Sequence, residues 1–132
     1  MKLLIVEDDF VSRTVLLKQL SAYGSPDVAV NGLEAVKAVE MQIAADEPYD
    51  LICLDIMMPE MNGHEALRKI RDVEQAAGIE GLDRCKIIMT TALSGSEDIL
   101  DSFRDECDGY LVKPIKKQDI KKLLGVLELD NA

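Results

Sequence analysis

The sequence predicts an α/β domain in which a parallel sheet carries helices on both faces, and three observations predict it. Short apolar runs alternate with amphipathic stretches about five times along the 132 residues. One run, Leu51-Ile52-Cys53-Leu54, shows no polar alternation, so both of its faces must be covered, as in a central parallel strand. Helix-start and helix-stop signals fall between the runs, with short connections.

Taken in order, the strand candidates are residues 3–6, a weak one at 28–30, then 51–54, 87–91 and 110–112. Between them the period changes to that of a helix. Val36, Val39 and Ile43 recur at helical spacing, as do Ala66, Ile70, Val73 and Ala77. Ile120, Leu123, Leu124 and Leu127 repeat the pattern near the end. Asn31…Glu34, Asn62…Glu65 and Ser94…Glu97 each set a capping side chain three residues before a glutamate. Gly24, Gly78 and Gly109 read as helix ends. No linker, repeat or low-complexity tract interrupts the pattern, so one domain is expected over residues 1–132.

Composition excludes several classes. With 48% hydrophobic and 30% charged residues, the chain is globular rather than disordered. A formal net charge of −10 argues against a nucleic-acid surface, which needs basic patches. No apolar stretch approaches the ~20 residues that cross a bilayer. Residues 1–6 are too short for a secretory signal, so a cytoplasmic location is expected. Cys53, Cys85 and Cys107 form no CxxC pair and read as buried free thiols.

Ligand sites in open α/β sheets lie outside the carboxyl ends of the strands. The residues just after each apolar run are therefore the informative ones. Glu7, Asp8 and Asp9 follow the first; Asp55 and then Met57-Met58-Pro59 follow the third; Thr91-Ala92 and Lys113-Pro114 close the fourth and fifth. Clustered carboxylates repel one another, and a divalent cation removes that cost. Hard oxygen donors suit magnesium, which completes its shell with water and phosphate oxygens. A carboxylate could then attack phosphorus while the cation and a lysine hold the equatorial oxygens. Singly, each residue has a plainer reading. Asp9 reads as a helix cap, His64 as an exposed first-turn residue, and Met57, Met58 and Met61 as packing under a loop.

Together these residues resemble the receiver domain of bacterial response regulators, the CheY-like family. The resemblance rests on Ile5-Val6-Glu7-Asp8-Asp9, the stretch from Asp55 through Pro59 to Gly63, Met89-Thr90-Thr91-Ala92, and Gly109 through Lys113-Pro114. It implies a flavodoxin-like doubly wound (βα)5 fold with a five-stranded sheet in the order 2-1-3-4-5. It implies that Asp55 accepts phosphate from a histidine kinase's phosphohistidine. Asp8 would ligate Mg2+ directly, Glu7 through water, and Asp55 and the Met57 carbonyl would complete the protein's ligands. Thr91, Ala92, Lys113 and the Met57 backbone would hold the phosphoryl group. Lys113-Pro114 is expected to be cis. Tyr110 would change rotamer with Thr91 and pass the signal to the face of the fourth helix, fifth strand and fifth helix.

The implied partners are a histidine kinase or phosphotransfer protein, a downstream protein target, and a second copy on phosphorylation. No direct nucleic-acid or membrane partner is expected, and no enzymatic activity beyond self-catalysed phosphoryl transfer and loss. A relay role is the nearest alternative. A haloacid-dehalogenase-like phosphatase would need an aspartate where Met57 stands. A flavodoxin-like carrier would need a phosphate loop where the acidic residues stand. A degenerate receiver would have lost Asp55, Thr91 or Lys113. Against the family's pattern, segments 31–48 and 78–84 look long, which implies an extended second helix and an extended loop before the fourth strand. In the family the positions two residues beyond the acceptor and the threonine border the path of the attacking water; here they are the apolar Met57 and Leu93, so the resemblance implies slow self-dephosphorylation.

Overall fold

The structure, a computed structural model, describes residues 1–58, 60–92 and 107–129. Five strands form one parallel sheet: β1 (Leu3–Val6), β2 (Asp27–Ala29), β3 (Leu51–Asp55), β4 (Lys86–Thr91) and β5 (Gly109–Val112). Their order is β2-β1-β3-β4-β5, as the family resemblance implied. Four α-helices lie among the described residues: α1 (Phe10–Leu20), α2 (Gly32–Ala44), α3 (Gly63–Ala76) and α4 (Lys117–Val126). The last corresponds to the fifth helix of the sequence reading. The predicted helix start at Ser94…Glu97, together with Pro59 and Leu93, lies outside the described residues.

The period of two along each strand divides the core between the sheet's faces. Leu51 and Cys53 of β3 join Leu3, Ile5 and Ile88 beneath Leu16 and Leu20 of α1 and Ile120 and Leu124 of α4. Ile52 and Leu54 turn the other way, to Val6, Ile87 and Met89 and to Val39 of α2 and Leu67 and Ile70 of α3. Every residue of β1 and β3 is buried, so the unalternating central run is a strand covered on both sides. Each fully buried Leu or Ile contributes roughly 1.5–3 kcal/mol.

Two predicted caps are in place. Asn31 accepts from the Glu34 amide at 2.9 Å and Asn62 from the Glu65 amide at 3.0 Å. Gly78 follows the C-cap of α3 at φ +79°, where an L side chain would be strained. There the amides of Gly78 and Ile79 reach back to the carbonyls of Gln75 and Glu74, which closes the helix.

The other two glycines are not helix ends. A Cβ on Gly24 would stand 2.3 Å from the Met1 carbonyl, so that glycine lets the N-terminal segment pass. Gly109 opens β5 beside Leu123, where a Cβ would come within 3.0 Å of a side-chain methyl.

The edge strand β2 begins and ends one residue before the prediction. Val30 leaves the sheet because its amide donates to Glu34 in the first turn of α2. At the other end, Asp27 is tied in by the Tyr49 hydroxyl, which donates to it at 2.8 Å. The long connection before β4 contains a 3-10 turn, Gly81–Asp83. Cys53 and Cys85 are buried and Cys107 is half-buried; all three are free thiols. Burial pushes the Cys53 thiol up to about 12, and it also raises Cys85 and Cys107. No described helix is long and apolar enough to cross a membrane.

Candidate functional site

The parallel sheet brings the ends of β1, β3, β4 and β5 to one rim, and the predicted groups meet there. Glu7 continues the β1 ladder, its amide donating to the Ala29 carbonyl at 3.0 Å, and is fully buried. Asp8 turns out into solvent beside it. Asp9 is the N-cap of α1, accepting from the Ser12 amide at 2.9 Å, which holds its carboxyl below the usual range. Asp55 is the last residue of β3 and is buried. Carboxylate oxygens of Glu7, Asp8 and Asp55 all lie within 4.8 Å of one another.

One ammonium group spans two of those carboxylates. Lys113 Nζ donates to Glu7 Oε1 at 2.5 Å and lies 3.4 Å from Asp55 Oδ2. Burial raises the Glu7 carboxyl, and the neighbouring Asp55 carboxyl adds to the rise against the opposing pull of Lys113. On Lys113 burial acts downward, but Glu7 and Asp55 outweigh it and hold the ammonium above its ordinary value. The site therefore carries more negative charge than its lysine neutralises.

The backbone fixes the remaining parts. Lys113 donates its amide to the Thr91 carbonyl at 2.7 Å, which ties the two backbones together. Thr91 is buried and Ala92 is exposed. The Lys113-Pro114 bond is cis, as expected. The Met57 amide donates to Asp55 Oδ1 at 3.2 Å and steadies the carboxylate. Tyr110, three residues before Lys113, is 44% exposed on the β5–α4 face, over a groove of about 520 Å³ that also involves Leu123 and Val126.

Some expectations need correction. The Met57 side chain is 68% exposed and does not pack under the loop; Met61 is buried there, and Met58 packs partly against the core. The backbone turn after Asp55 aims residue 57 at solvent. His64 is half-buried rather than exposed, because helix α3 starts against the sheet, and burial lowers its imidazole with help from Arg68.

Other residues escaped the sequence reading. Gly63 starts α3 against the acceptor strand, where a Cβ would lie 2.4 Å from the Asp55 carbonyl and 2.7 Å from the Ile56 Cα. Its place between a cap and a glutamate hid that role. Arg13 reaches back from α1 to the loop carrying Glu7 and Asp8. Phe10, Val11 and Val15 expose an apolar strip on α1, and Val11 and Val15 flank a groove that continues to Lys113 and Pro114.

Known proteins resemble this chain in sequence and in fold. The family model described as the response regulator receiver domain matches residues 3–125. The hybrid signal transduction histidine kinase L of Dictyostelium discoideum is 36% identical over 124 residues, covering 93% of this chain. The match spans only 7% of that kinase's length.

Among solved structures, a mutant receiver domain of the Arabidopsis thaliana histidine kinase CKI1 superposes with a TM-score of 0.82 at 28% identity. That alignment covers 96% of this chain and 89% of that one. The receiver domain of the sensor histidine kinase PA1611 from Pseudomonas aeruginosa has a TM-score of 0.75 at 28% identity, covering 94% of each chain. It was solved with a magnesium ion coordinated in the active site cleft. Three carboxylates at one rim, held beside a lysine on this fold, are consistent with magnesium binding and with a phosphoacceptor role in two-component signalling. The chain belongs to the response regulator receiver domain family.

Proposed function

We propose that residues 1–132 form one receiver domain whose Asp55 accepts a phosphoryl group from the phosphohistidine of a histidine kinase or phosphotransfer protein. The observation that carries this reading is the position of Asp55, buried between a lysine and two further carboxylates. An Asp55 oxygen attacks phosphorus, the P–N bond to the donor imidazole breaks, and that nitrogen takes up a proton. The product is an acyl phosphate. Glu7, Asp8, Asp55 and the Met57 carbonyl would hold Mg2+, whose hard oxygen preference fits this donor set. When bound, the cation supplies positive charge to the phosphoryl oxygens.

Lys113 exchanges its contact with Asp55 for one with the incoming phosphoryl group. The Thr91 hydroxyl and the backbone at Ala92 and Met57 take its other oxygens. Because Thr91 is yoked to Lys113, its movement reaches β5, where Tyr110 changes rotamer. A protein target, or a second copy, then reads the face that includes β5 and α4. The switch is a population shift set by how much better phosphate and metal bind one state.

Incubation with a small phosphodonor and Mg2+ tests the assignment. Asp55→Asn should lose all labelling. Asp50→Asn should keep it, because Asp50 lies at the opposite rim, accepting from the Lys2 amide. Undiminished labelling of Asp55→Asn would end the reading. The apolar Met57 beside the acceptor leads us to expect slow self-dephosphorylation, with a phosphoryl lifetime that shortens in Met57→Asn. A relay role is favoured by the likeness to a hybrid kinase, and return of label from Asp55 to a phosphotransfer histidine would distinguish it.

A further inference from the structure

We propose that Arg13 is a positioning residue for the cation site, an inference that rests on Glu7 and Asp8 being its ligands. Its Nη1 donates to the Glu7 carbonyl at 3.0 Å and lies 3.4 Å from the Asp8 carbonyl. Those are consecutive peptides, and their side chains supply two of the three clustered carboxylates. A single guanidinium nitrogen thus fixes both peptide planes, and through them the directions in which Glu7 and Asp8 leave the backbone.

The placement runs against the ordinary preference of a helix. Asp9 is the N-cap of α1, so Arg13 lies in the turn that follows it, near an end that favours negative charge. Its side chain reaches back over that end, the direction in which helical side chains lean. Phe10, one turn earlier, stacks against it, with the guanidinium carbon 5.6 Å from the ring centroid. That contact explains why a 71% exposed phenylalanine stands at the start of α1. The ring and the cation form a brace on the loop that carries the two carboxylates. Asp9 closes the loop from within, its amide facing Glu7 Oε2 at 3.3 Å.

Two effects of Arg13 on a bound cation oppose each other. Its charge repels Mg2+ through space, and its hydrogen bonds hold the ligands in place. We infer that the second dominates, since backbone and ligand support of this kind is commonly worth about tenfold or more in metal affinity. The sign of one measurement decides between them.

Calorimetric titration of the metal-free protein with Mg2+ should show binding weakened about tenfold in Arg13→Met, which keeps the stem but removes the donors. Arg13→Lys keeps a charged donor and should recover most of the loss. In the metal-free protein, the amide resonances of Asp8 and Asp9 should shift in Arg13→Met, with the urea midpoint little changed. Mg2+ binding as tight as wild type, or tighter, in folded Arg13→Met would overturn the proposal. Asp8→Asn separates this from the underlying site assignment. If Asp8→Asn binds Mg2+ like the wild type, the ligand reading fails and the brace falls with it. If Asp8→Asn abolishes binding and Arg13→Met does not weaken it, the brace alone is wrong.

Discussion

The two rims of the sheet each hold a cation set between two carboxylates, with Lys86 adding a weaker 4.0 Å contact to Asp108 at the amino rim, yet they are built for different ends. At the carboxyl rim Lys113 lies between Glu7 and Asp55. At the amino rim Arg71 lies between Glu74 and Asp108, at 2.7 and 3.1 Å. There the guanidinium also donates to the Cys85 carbonyl at 2.9 Å, and backbone amides cap both acids. Cys85 donates to Glu74 at 2.8 Å and Ile87 to Asp108 at 2.9 Å. The carboxylates' charge is matched by fixed donors from α3, β4 and the entry to β5, and Arg71 is held above its ordinary value despite burial.

The carboxyl rim has longer amide contacts, 3.2 Å to Asp55 and 3.3 Å to Glu7, and a third carboxylate, Asp8, close by. Its cation is a lysine, a point charge on a flexible stem that can change partners. One cluster is a strut. The other has negative charge left over for a ligand to meet.

Breaking the strut should have the largest effect. Arg71→Met leaves Glu74 and Asp108 without their shared cation and should cost about 3–5 kcal/mol, measured by urea unfolding. Phosphoryl acceptance per folded molecule should stay unchanged. A loss of acceptance in the folded fraction would show that the two rims are coupled.

Gly63→Ala acts on the other rim. The new Cβ must displace backbone at Asp55 and Ile56, which should cost about 1–3 kcal/mol. It should also slow phosphoryl acceptance roughly tenfold, because the acceptor shifts from its working geometry. Wild-type kinetics with a wild-type urea midpoint would remove Gly63 from the account.

Glu7→Gln should have the smallest effect, and the opposite sign. Burial raises the Glu7 carboxyl, so the folded state holds that proton more tightly than the unfolded chain does. The stabilisation linked to it is complete below the ordinary glutamate value and is lost as pH rises through the folded one. At pH 7 without metal, Glu7→Gln should therefore raise the urea midpoint, with the gain closing as pH falls toward 4.5. A lower midpoint at pH 7 would mean that the Lys113 contact outweighs burial.

The carboxyl rim was legible in the sequence and the amino rim was not, for a physical reason. Strand ends announce themselves, because an apolar run gives way to polar groups at Glu7, Asp55, Thr90-Thr91 and Lys113. The strut draws on residues 71, 74, 85 and 108, and only the Arg71–Glu74 pair is close enough in sequence to suggest contact. Gly24 and Gly109 misled because close approach and helix termination both call for the same residue, and the sequence does not say which one applies. Arg13 is hard to find in the sequence because a cation near a helix N-terminus goes against the charge preference that a sequence reading relies on. A run of methionines in loop positions reads as packing under the loop, and at Met57 a single turn of backbone sends the side chain outward instead.

The cysteines have a practical consequence. Conjugation reagents react with thiolates, and all three native thiols are raised by burial. At neutral pH Cys53 and Cys85 in the folded wild type should resist a maleimide, which leaves the half-buried Cys107 as the native thiol to replace. A fluorophore attached at Lys122→Cys, on the groove below Tyr110, could then follow the output surface without replacing Cys53 in the central strand.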